Sequence, residues 1–197
     1  MFGTSKSNAK KSMLLAIITV VFAVIARFLT LHLPNVAPFE AMLIFGVFAL
    51  HRKSLSLILP LAAWFVTDLI INNTIYAGFY EGFTWISQSF VFAMIAMLVI
   101  FGFTQFLKKR SEEKGSILGY YGLASVVSPL LFFAVSNFGV WAGMHMYPPT
   151  LSGLSMCYIS ALPFLTYGMA STIGFSIIFG VMGYLFQRQS TQSTSQA

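Results

Sequence analysis

Hydrophobic and polar positions fall into long blocks along this chain, not into an alternating or a one-faced pattern. Runs such as 14–26 and 91–103 are apolar on every side of a helix. Strands of a membrane barrel alternate apolar and polar residues over about ten positions, so the blocks predict helices. Six segments emerge: 12–30, 38–50, 54–71, 85–106, 116–136 and 166–186. Most match the ~20 residues with which a helix crosses the hydrocarbon core. Segment 38–50 would reach only about 20 Å and is expected to be partial or irregular. Pro34 and Pro38 keep the connection 31–37 extended. Residues 187–197 form a Ser/Thr/Gln tail, expected to be disordered and cytoplasmic.

The longest interruption between apolar blocks is 136–164, SNFGVWAGMHMYPPTLSGLSMCYISALPF, which holds no charged residue. If 137–145 is helical, Asn137, Trp141, Met144 and His145 share one face. That face would offer an amide, an indole and an imidazole to a small polar or aromatic ligand. The stretch could then lie as a lid over a pocket. It could equally be an interfacial helix anchored by Trp141 and Tyr147.

Composition makes the membrane reading firm. The chain is 57% hydrophobic and 8% charged, against about 25% charged in soluble domains. A soluble protein of this composition would expose large apolar patches and aggregate. The basic start at 1–11 followed by an apolar run resembles a signal peptide. The run is too long and lacks a small-x-small cleavage site, so 12–30 is read as a retained helix. The single cysteine, Cys157, excludes an internal disulfide.

Charge supplies topology. With the N-terminus in the cytoplasm and six crossings, Lys6, Lys10, Lys11, Arg52, Lys53, Lys108, Lys109, Arg110, Lys114 and Arg188 fall on the cytoplasmic side. The outer connections receive no Lys or Arg. The bias predicts an N-in, C-in helical bundle in which 12–186 is the transmembrane domain.

The same topology puts Arg27, Glu40 and Asp68 in the outer half of the membrane. A lone charge at the bilayer centre costs about 2.5–3.5 kcal/mol on insertion scales. Arg27 is therefore expected to pair with Glu40 or Asp68, either as a staple between helices or as part of a ligand site. The outer connections add His32, Asn35, Asn72, Asn73, Tyr76, Tyr80, Glu81 and Trp85. On helix 12–30, Ala16, Thr19, Ala23 and Ala26 put small residues on one face, where another helix can approach. Neither a nucleophile elbow nor a zinc-protease motif nor a Gly-rich phosphate loop is present. No enzyme activity, cofactor or metal site is expected.

Three segments carry a resemblance: ARFLTLHLPNVAPFEAMLIFG, LPLAAWFVTDLI and the long block 136–164. They resemble an uncharacterised bacterial membrane family that is similar to the substrate-binding (S) components of energy-coupling-factor (ECF) transporters. The resemblance implies an all-α six-helix bundle in the bacterial inner membrane, with a ligand pocket near the outer face. It implies Asn35, Glu40, Asp68, Asn137, Trp141, Tyr147 and Tyr158 as pocket positions, beside Arg27 and His145 from the residues themselves. It further implies an ECF-type coupling subunit and its ATPases as partners. S components dock through Ala-x-x-x-Ala on the first helix; this chain has Thr19-x-x-x-Ala23. The function expected is uptake of a small polar or aromatic nutrient, a vitamin or its precursor. The alternative is a scaffold that binds partner helices through the small-residue face and takes no small ligand.

Overall fold

A computed structural model describes residues 6–50 and 52–195; His51, which the sequence places in the basic turn after the second segment, lies outside them. Helices are α1 (Lys6–Leu29), α2 (Phe39–Ala49), α3 (Lys53–Asn73), α4 (Gln88–Lys114), α5 (Ile117–Gly143) and α6 (Leu151–Ser195), with a short 3-10 turn at Ala77–Phe79. Among the described residues, five helices are long and apolar enough to cross a membrane: all but α2. This is the architecture of a multi-pass membrane protein.

The fold is organised around α2. It packs on all five other helices, and Phe39 and Ala41 through Val47 are buried. That explains why an 11-residue helix can be apolar all round. It lines the centre of the bundle and meets protein on every side, whereas the long helices turn much of their apolar surface outward. Gly46 lets α3 approach closely, since a Cβ there would stand 2.9 Å from Ser56 Cβ and 3.0 Å from its Cα. Pro38 precedes the helix at its N-cap.

The small-residue face of α1 is used within the chain. Ala16, Thr19, Ala23 and Ala26 are all buried, and Ala16 and Thr19 face Met42, Phe45 and Gly46 of α2 and Ser56 and Leu59 of α3. The partner-binding face expected there is thus already covered. The opposite face of α1, with Ile17, Val21 and Ile25, is exposed.

The stretch 136–164 is not a lid. Residues through Gly143 continue α5, and residues from Leu151 begin α6. Only the turn between them interrupts the helices, and the physical reason is local. Pro148-Pro149 cannot continue a helix, and Gly153 lies so close to the Pro148 carbonyl that no side chain fits there. The Trp141 indole N–H donates to the same carbonyl (3.0 Å) and ties the turn back to α5. At the other end, α6 runs on from the apolar segment through Ser195.

Candidate functional site

A cavity of about 230 Å³ opens at the end of the bundle where α1 finishes and α2 begins. Its walls come from both ends of the α1–α2 connection, from α3, and from the middle of α5 and α6. Asn35 and Pro34 sit at its exposed rim. Asn35 has φ 52°, a left-handed conformation that Asn tolerates better than most residues. The connection is held to α6 by one hydroxyl. Ser171 Oγ accepts from the Ala37 N–H (3.1 Å) and donates to the Ala37 carbonyl (3.1 Å).

Three rings form one wall. Trp64 stacks on Phe39 at 5.7 Å and 18°, and on Phe132 at 5.9 Å and 26°. Phe133 and Tyr76 add to the lining. Pro129, inside α5, also lines the cavity. A proline there leaves the Ser125 carbonyl without its helical partner, and such positions are tolerated in membrane helices where neighbouring groups satisfy the backbone.

The polar groups are few and incompletely matched. Arg27 pairs with Asp68 at 3.5 Å, both side chains being mostly buried. Trp64 also donates to the Asp68 carboxyl. This decides the expected pairing: Arg27 meets Asp68, and no ion pair to Glu40 forms among the described residues. Thr172 donates to the Glu40 carboxyl. Glu40 Oε1 and Arg27 Nε are nonetheless buried without a hydrogen-bond partner. Buried polar atoms are satisfied in the great majority of cases, so two such atoms beside one cavity call for a reason.

Of the residues the sequence singled out, Arg27, Asn35, Glu40, Tyr76 and Asn137 line the cavity, and Asp68 stands behind Arg27. Asn137 Nδ2 donates to the Phe133 carbonyl of its own helix (2.8 Å). Trp141, His145, Tyr147 and Tyr158 are not on the cavity wall. Trp141 secures the α5–α6 turn. Tyr158 donates to the Ala134 carbonyl (2.6 Å), bracing α6 on α5. His145 is exposed in the turn with φ 53°. The expected face Asn137–Trp141–His145 does not act as one surface: Asn137 reaches the cavity, Trp141 is turned to the Pro148 carbonyl, and His145 lies beyond α5, which ends at Gly143.

Sequence reasoning missed Trp64, Phe132, Phe133 and Thr172. All lie inside apolar blocks, where an aromatic or a hydroxyl reads as ordinary span. A signal was available in Trp64 and Asp68, which stand one turn apart on the same face.

The chain matches a family of unknown function (DUF6580) over residues 6–194. It belongs to that family, since the match covers almost every residue. No curated protein and no solved structure matches it.

Proposed function

We propose that this member of the DUF6580 family is a membrane protein that binds a small polar or aromatic nutrient for uptake, in the cavity between α1, α2, α3, α5 and α6. One observation carries the reading. Buried Glu40 Oε1 and Arg27 Nε lack partners beside a cavity walled by stacked rings. Binding pockets are typically apolar and aromatic with a few convergent polar groups. A ligand that satisfies these atoms recovers a desolvation cost already present in the empty protein.

The cavity faces outward in this reading, on the side away from the basic turns, and the membrane is the bacterial inner membrane. The likeness to S components of ECF transporters belongs to the same proposal, with a coupling subunit and ATPases supplying energy. Thr19 and Ala23 are both buried, Thr19 beside α2 and α3, so a coupling subunit would meet the exposed Ile17–Val21–Ile25 face instead. The protein binds and does not catalyse.

The test begins with native mass spectrometry of gently purified protein, looking for a co-purifying small molecule. A panel of vitamins and their precursors is then screened by ligand-induced thermal stabilisation. Glu40→Gln and Phe132→Ala are expected to lose the stabilisation, and Trp141→Ala to keep it. Full retention in both cavity variants would remove this cavity as the site.

A further inference from the structure

The charges around the cavity do not balance. Among the described residues Arg27 is its only lining cation, and its charge is matched by Asp68, although its Nε has no hydrogen-bond partner. Glu40 lines the same space and has no cation within ion-pair distance among the described residues. His32, in the same connection, is not on the wall. A carboxyl group left in a desolvated site without a counter-charge is costly. Beside it stand the stacked rings Phe39, Trp64 and Phe132, a wall that suits a flat ring on the ligand. The unmatched carboxyl therefore selects the charge and the ring wall the shape.

Size narrows the class further. The cavity measures about 230 Å³, and an engineered cavity of about 150 Å³ accommodates benzene. By proportion it holds about nine non-hydrogen atoms, which is one substituted ring or a small fused pair. Resting on the reading of this cavity as a ligand site, we propose that its ligand is a flat, ring-bearing organic cation, an amine, amidine or protonated ring nitrogen, with Glu40 as its counter-ion. Asn35 and Asn137, which also line the cavity, leave room for a polar substituent on the ring.

Three compounds of equal size and shape separate the charge preference from fit: benzamidine (cation), benzamide (neutral) and benzoate (anion). Their binding is measured by calorimetry on the full chain in lipid nanodiscs. Benzamidine is expected to bind at least about tenfold more tightly than benzoate, as a charge-assisted contact to Glu40 would give. Glu40→Gln is expected to erase the preference, and Glu40→Asp, which keeps the charge, to retain it. Wild-type discrimination needs no variant, so it decides even if Glu40→Gln does not fold. Equal or tighter binding of benzoate, or no binding of any of the three, overturns the cation assignment. A co-purifying neutral or anionic metabolite overturns it too, while leaving the cavity as a binding site. Failure of the whole vitamin panel together with an empty native mass spectrum removes the binding reading itself.

Discussion

Glu40 and Arg27 are the residues whose chemistry is unresolved by the chain alone. Relieving either should change stability in a direction that a purely structural group would not show. Glu40→Met removes an unmatched buried polar group at similar volume, so the ligand-free protein is expected to gain about 1–3 kcal/mol. That corresponds to roughly 2–4 °C in thermal midpoint per kcal/mol, read by a melting curve in detergent. A fall in midpoint would mean that Glu40 is satisfied in the empty protein. Asp68→Asn should do the reverse. It strips the counter-charge from Arg27 and is expected to cost about 1–3 kcal/mol, less than a fully buried pair. Adding Arg27→Met to Asp68→Asn should restore most of the loss, since no lone charge remains. A double variant as unstable as the single would show that the pair is not the cause. These charges were legible in the sequence because a charge inside an apolar block stands out. Trp64 and Phe132 were not, because a ring in a span looks the same whether it faces lipid or a cavity.

At the level of elements, the sequence marked α2 and α3 well, started α1 late, ended α4 at 106 although the helix continues through the charged stretch to Lys114, and misjudged α5 and α6. Charged or proline-bearing connections bound α2 and α3, whereas Lys, Arg and Glu after 107 are compatible with a helix that leaves the apolar layer. The long block 136–164 has no such boundary until Pro148, and α5 and α6 simply extend through it. Nor did the pattern reveal that α2 is the hub, since an apolar helix reads alike at the centre and at the lipid face. Gly46 tests that role. Its contact is Ser56, including the Cα, so a leucine there must push α3 away, at a cost of about 1–3 kcal/mol. Because Trp64 and Asp68 ride on α3, Gly46→Leu should also weaken ligand binding. Gly102 in α4 is the control, with open space where its Cβ would stand. Gly102→Ala is expected to stabilise by about 0.5–1 kcal/mol through helix propensity alone. Equal effects at the two positions would argue against a tight α2–α3 contact.

For the whole molecule, everything proposed about uptake depends on which side the cavity faces. The cavity lies at the α1–α2 turn. Lys108 of the α4–α5 end stands near Lys53 at the start of α3, so the basic connections gather at one end. An excess of Lys and Arg marks the cytoplasmic side, and on that rule we propose that the cavity faces outward. The lone cysteine makes the orientation directly measurable. Cys157 is buried, its thiol donating to the Asn137 carbonyl at 3.5 Å, and Cys157→Ala gives a background without thiols. Glu81, in the α3–α4 connection, and Lys109, near the end of α4, are both exposed. On that background Glu81→Cys should react with a membrane-impermeant maleimide in intact cells. Lys109→Cys should react only after permeabilisation. The opposite pattern would put the cavity in the cytoplasm, where Glu40 and the ring wall would meet ligands already inside the cell, and capture from outside could no longer be their task.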